Sequence, residues 1–134
     1  MTFVKWNDTD SVHVKIIDEQ HRHFVGLLNS LYACLESDDM DKISNIIGDL
    51  ASYTLYHFKT EEEYFDKFCY EGAADHKAAH NEIKAKVVVF LERRKDDPKT
   101  VGFDLLYFLE RWFFVHLKGM DKRYTECFNK NGLR

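Results

Sequence analysis

The chain has 134 residues, 45% hydrophobic and 31% charged, which suits one globular domain around a single sizeable core. A net charge of −4 with no Lys/Arg-rich run argues against the basic face on which nucleic-acid binders depend. The longest apolar runs, VVVF and WFFV, are too short to cross a bilayer, and MTFVKWNDTD lacks a signal-peptide layout, so a cytoplasmic protein without membrane or nucleic-acid partners is expected.

One Pro and six Gly leave few turn positions and favour long helices. Residues 1–17 show no helical period and read as an N-terminal arm packed on the rest through Phe3 and Trp6. A first helix is expected at about 18–37, with His21, Phe24, Leu28, Leu31 and Leu35 on one stripe, closed by Asp38-Asp39. The second, about 40–68, carries Ile43, Ile47, Leu50, Thr54, His57, Glu61, Phe65 and Phe68 on one face. Gly72 is the expected left-handed stop behind it. The third, about 74–95, aligns His76, His80, Ile83, Val87 and Phe90, and its helical period overrides the strand propensity of VVV at 87–89. Asp97 is the expected N-cap, and Pro98 the first residue, of a fourth helix at about 98–128 carrying Leu105, Leu109, Trp112, His116 and Met120. Four amphipathic helices on short loops predict one all-α domain over 1–134, an up-down-up-down antiparallel four-helix bundle. Cys34, Cys69 and Cys127 contain no CxxC pair and read as reduced, structural thiols.

Five of the seven histidines lie on these apolar stripes: His21, His57, His76, His80 and His116. A single histidine there is more often a hydrogen-bonded core residue than a ligand, so only the set is informative. His57/Glu61 and His76/His80 are each four apart and share a helix face. His21 and His57 lie about 17 residues either side of the first turn, and the His76/His80 pair and His116 about 17–19 either side of the third, so all four helices deliver ligand-type groups at one height. So many buried imidazoles with a carboxylate and no metal would be a severe desolvation problem. Asp121, five residues after His116, is about 140° off that helical face and joins the set only through an irregular turn, which Gly119 would ease. Imidazole with carboxylate suits iron, zinc, copper or nickel, and seven candidates are too many for one zinc but fit a dinuclear site.

The ordered set H…HxxxE…HxxxH…HxxxxD, with Trp6, 18-DEQH-21, 53-YTLYHFKTEE-62, 76-HKAAH-80 and 109-LERWFFVHLKGMD-121, resembles haemerythrin in its bacterial single-domain form. The resemblance implies two iron ions and reversible O2 binding. It places His76, His80 and His116 on one iron and His21 and His57 on the other, which keeps an open position. Glu61 and Asp121 would bridge, together with an oxo or hydroxo group. The implied role is O2 storage, delivery or sensing, not enzyme catalysis, with no protein partner named. The alternative is a di-iron redox protein handling nitric oxide or peroxide. Phe24, Phe58, Trp112 and Phe113 are candidates for lining an apolar O2 pocket. Phe113 stands where the family often has Leu, and Phe65 where it often has Met. Glu62 and Glu63 are expected to turn towards the rim or solvent and to be replaceable, and His13 and His23 to be surface residues.

Overall fold

Two aspartates set where helices begin. Asp39 accepts a hydrogen bond from the Lys42 amide at 3.1 Å and Asp97 from the Thr100 amide at 3.2 Å, each satisfying a first-turn N–H that lacks an intrahelical partner. Pro98 follows at the first helical position, where its missing N–H removes no bond. In the computed structural model, which describes residues 3–134, these caps open α2, Met40–Lys67, and α4, Pro98–Gly119. Helix α1 spans Lys15–Leu35, α3 Ala73–Arg93, and a short α5 Thr125–Lys130. Among the described residues there is no strand, and residues 87–89 lie within α3. Among the described residues, no helix is long and apolar enough to cross a membrane.

The four long helices form an all-α bundle in which α1 packs on α2, α2 on α3, α3 on α4, and α4 closes back on α1. Its apolar core fills the half nearest the α1–α2 and α3–α4 turns, where Leu28, Leu31, Leu35, Ile43, Ile47 and Leu105 are all at most 1% exposed. Gly102 sits in this half because the helices approach closely there: a Cβ on it would lie 2.7 Å from Leu35 Cδ2. In the other half, buried ionisable side chains stand among aromatics such as Phe58, Phe65, Phe113 and Phe128.

The arm is pinned by Asn29, whose Oδ1 accepts from the Phe3 and Val4 amides at 2.9 and 2.8 Å and whose Nδ2 donates back to the Val4 carbonyl. Phe3 stacks on Tyr32, and the Arg22 guanidinium lies over Trp6. The first two residues of the expected arm lie outside the described residues. The arm carries one 3-10 turn, Asp8–Asp10, and α1 starts three residues before the expected Asp18. Asp18 sits one turn inside α1 and reaches back to accept from the Val12 amide and the Ser11 hydroxyl.

Two local expectations are corrected. The left-handed residue that ends α2 is Cys69, at φ 51°, whereas Gly72 has φ −81° and caps α3. The Tyr70 amide bonds the Phe65 carbonyl and the Cys69 amide the Asp66 carbonyl, the Schellman pattern that places the left-handed position at Cys69. Holding a Cβ-bearing residue there costs about 1 kcal/mol relative to glycine. The expected fourth helix is also broken. Helix α4 stops at Gly119, a 3-10 turn runs over Asp121–Tyr124, and α5 follows. This is the irregular turn that Asp121 needed. Gly119 is not in a positive-φ conformation, and a Cβ there would meet nothing within 4 Å, so the break owes nothing to glycine's freedom.

Candidate metal centre

The 3.6-residue period of α2 places His57 and Glu61 one above the other, and that of α3 does the same for His76 and His80. His21 arrives from α1, His116 from the last turn of α4, and Asp121 from the first residue of the 3-10 turn. All seven are buried, none more than 6% exposed, and they converge on one point in the polar half of the bundle.

The imidazoles meet the carboxylates through Nε2. His57 Nε2 lies 3.2 Å and His80 Nε2 3.3 Å from the same Glu61 Oε1. Asp121 divides its oxygens: Oδ2 is 3.2 Å from His21, while Oδ1 is 3.0 Å from His76 and 2.9 Å from His116. Facing nitrogens are equally close, at 3.0 Å between His21 and His57 and 2.9 Å between His76 and His116. Two overlapping donor groups result: His21, His57, Glu61 and Asp121, and His76, His80 and His116 with Glu61.

Burial alone would raise the Glu61 carboxyl, and the Asp121 charge adds to that, yet the surrounding His57 and His80 hold it below the usual carboxylate range. Asp121 is held well below that range in the same way, its burial outweighed by His116, His21 and His76. Burial would lower His57 and His116, but the same carboxylates raise both. Without metal, protons on imidazoles supply the positive charge that the carboxylates require. They do so incompletely. Glu61 Oε1, His80 Nε2 and Asp121 Oδ1 are fully buried with no hydrogen-bond partner, although His80 Nε2 and Glu61 Oε1 are within 3.3 Å of each other. Close donor atoms that do not align on one another but surround a common point fit cations, and the two overlapping groups fit two.

Three residues that support the ligands escaped sequence reasoning. Gln20 Oε1 accepts from His57 Nδ1 at 2.7 Å, and Gln20 Nε2 donates to the Thr60 hydroxyl. Glu62, expected at the rim, accepts from His80 Nδ1 at 2.8 Å and lies 3.6 Å from Lys84 Nζ. That expectation is corrected: one residue past Glu61 the helix has turned only about 100°, which aims Glu62 along the α2–α3 seam. Glu63 is exposed, near Lys59. Tyr124, fully buried, donates its hydroxyl to Glu61 Oε2 at 2.6 Å. Burial and the nearby Glu61 and Asp121 charges push its pKa well up, so it remains a donor. Its only trace in the sequence is its place one turn after Asp121.

The four aromatic candidates divide between the two groups. Phe113 sets its ring edge against His21 at 5.3 Å, and Phe24 packs on Phe113 at 4.8 Å. Phe58 stacks on His80 at 3.9 Å and Trp112 on His116 at 4.9 Å, beside the three-histidine group. Phe65 also lies on that side, 4.8 Å from His76. His13 and His23 are exposed and outside the cluster.

Residues 12–127 match the family described as Hemerythrin HHE cation binding domain. The chain is 30% identical over 126 residues to a bacteriohemerythrin of Stenotrophomonas maltophilia, covering 94% of this chain and 82% of that one. It is 29% identical to a bacteriohemerythrin of Clostridium acetobutylicum, covering 90% and 98% respectively. A crystal structure of wild-type hemerythrin superposes with a TM-score of 0.86 at 23% identity, over 94% of this chain and 98% of that one, which supports the four-helix fold.

Proposed function

The chain belongs to the haemerythrin family, whose cofactor is a di-iron centre, and on that premise we propose that it binds O2 reversibly for storage, delivery or sensing. His76, His80 and His116 would hold one iron and His21 and His57 the other. Glu61 and Asp121 would serve both, alongside a solvent-derived oxo or hydroxo group.

One observation carries this reading: the donors are unequally divided. Three imidazoles stand on one side of the shared carboxylates and two on the other. The two-imidazole side has one donor fewer, which leaves room for an external ligand and sets the site apart from a closed structural metal site. When bound, the iron pair supplies the electrons that O2 takes up on binding and returns on release.

The chain's own residues fit that task. Phe113 and Phe24 wall the His21 side with apolar carbon, which excludes water and the protons it carries. Gln20 and Glu62 fix the tautomer and orientation of His57 and His80 through Nδ1, leaving each Nε2 free to donate to metal. Phe58 and Trp112 clamp the faces of His80 and His116, and Tyr124 holds Glu61 by the oxygen that faces away from His57 and His80.

The test is an absorption spectrum of anaerobically reduced, iron-loaded protein, exposed to air and then returned to vacuum. A visible charge-transfer band that appears with air and disappears under vacuum is expected. Immediate, irreversible oxidation would overturn reversible binding in favour of a redox protein acting on peroxide or nitric oxide. Metal analysis finding far fewer than two irons per loaded chain would overturn the dinuclear assignment itself.

A further inference from the structure

Of the three cysteines, Cys34 is buried in the core, Cys127 is half-buried and Cys69 is exposed. Cys69 and Cys127 line one open cleft between the α2–α3 turn and α5, with Tyr70, Arg123 and Lys130. Cys127 Sγ lies 4.0 Å from the Phe68 carbonyl oxygen, in the peptide unit that joins Phe68 to Cys69. Standard backbone dimensions therefore put the Cys69 Cα within about 7 Å of that sulfur. A disulfide, with Cα atoms about 4.4–6.8 Å apart, then requires side-chain rotation and a shift of at most about 3 Å. Phe128 anchors α5 in the core, so the adjustment falls on the side of the cleft that carries the exposed Cys69.

A second observation is independent of proximity. Cys69 occupies the left-handed position of a Schellman turn, where glycine would relieve the backbone. The fold gives up stability there and presents an exposed thiol in return. The same cleft carries Arg123 and Lys130 beside Glu71 and Glu126, so it is open, polar and accessible to a small hydroperoxide. Asn131 Nδ2 approaches Cys127 Sγ at 3.9 Å and helps hold the second sulfur in place.

We propose that Cys69 and Cys127 form a reversible oxidation site, closed to a disulfide by a hydroperoxide. The Cys69 thiolate attacks one peroxide oxygen and the O–O bond breaks. That oxygen stays on sulfur as a sulfenic acid, and the other leaves, on protonation, as water or an alcohol. The Cys127 sulfur then attacks the sulfenic sulfur, forming S–S and releasing the oxygen as water with the thiol's proton. Two thiols lose two electrons and two protons, and the hydroperoxide is reduced by two electrons. The bond would tie the α2–α3 turn to the segment carrying Tyr124, which touches Tyr70 in this cleft and hydrogen-bonds Glu61. The site does not depend on the O2-binding reading.

The experiment treats full-length, iron-loaded protein with hydrogen peroxide, and in parallel with the thiol oxidant diamide, followed by alkylation and non-reducing peptide mapping. The expected result is a Cys69–Cys127 cross-linked peptide from most chains, loss of two alkylatable thiols of the three, and recovery of both with dithiothreitol. In Cys127→Ser the cross-link should vanish and dimedone should trap Cys69 as its sulfenic acid. Both thiols remaining free under both oxidants would overturn the proposal, as would Cys69 in chain-to-chain dimers while Cys127 stays alkylatable. Cross-linking by diamide but never by peroxide would overturn the hydroperoxide as its oxidant.

Discussion

Glu61 and Glu62 are adjacent and both lie against histidines, the first buried and the second partly exposed, yet they do different work. Glu61 presents Oε1 to His57 and His80 and is proposed to join the two irons, whereas Glu62 orients His80 from behind. Glu61→Ala should therefore abolish the dinuclear centre. Glu62→Ala should keep two irons at saturation but weaken iron affinity roughly 10–100-fold, and Glu63→Ala should change nothing. Competition with a chelator distinguishes the three, and equal behaviour of the Glu62 and Glu63 variants would refute the orienting role. Tyr124→Phe removes the donor to Glu61 Oε2 and leaves a buried carboxylate oxygen unpaired. It should destabilise the metal-free protein by about 1.5–3 kcal/mol in urea titrations. Much of the inner ligand set was legible because a helix imposes its period: His57 and Glu61 four apart must share a face. Glu62 was not legible. A residue about 100° off that face is in solvent or in a seam according to where α3 docks, and docking is a tertiary fact. Gln20 and Tyr124 escaped for the same reason, since each acts across an inter-element gap of 37 or 63 residues.

Between elements, the approach of α4 to α1 and α2 is set at Gly102. Gly102→Ala drives a Cβ to 2.7 Å from Leu35 Cδ2 and 3.4 Å from Ile43 Cγ2, both side chains buried, and overpacking there should cost about 1–3 kcal/mol, read from urea unfolding. Gly119→Ala is the contrasting case. Its Cβ would meet nothing within 4 Å, so iron content and stability should both survive. Loss of iron in that variant would show that the turn before Asp121 needs glycine after all. The caps at Asp97 and Pro98 were readable because their chemistry is local, whereas the stop after α2 was misplaced onto Gly72. Composition names glycine as the usual left-handed residue, but the hydrogen bonds to Phe65 and Asp66 place that conformation at Cys69, three residues earlier.

For the molecule as a whole, one half of the bundle interior is apolar and the other sets a charge cluster among buried aromatics, so stability depends in part on what neutralises the cluster. Glu61 and Asp121 are held below their ordinary values, so their contribution is present above the unfolded carboxylate range, about 4.5, and fades as pH falls through the depressed folded values. His57 and His116 are raised, so theirs is complete below the ordinary 6.5 and is lost as pH climbs through the raised values. Metal-free protein should thus have its highest Tm between about pH 4.5 and 6.5. Iron replaces the protons on the imidazoles, so loaded protein should keep its Tm well above that window. Thermal melts of both forms from pH 4 to 9 test this, and a metal-free Tm still rising at pH 8 would contradict it.

The single oxygen that Glu61 turns towards both His57 and His80 has a consequence for how the protein fills. An ion entering either side displaces protons and fixes the carboxylates that the other side must use. The second ion then meets donors already ordered and already deprotonated. Loading should therefore be cooperative: at half the saturating iron, the population should divide into empty and doubly occupied chains, with few singly occupied ones between.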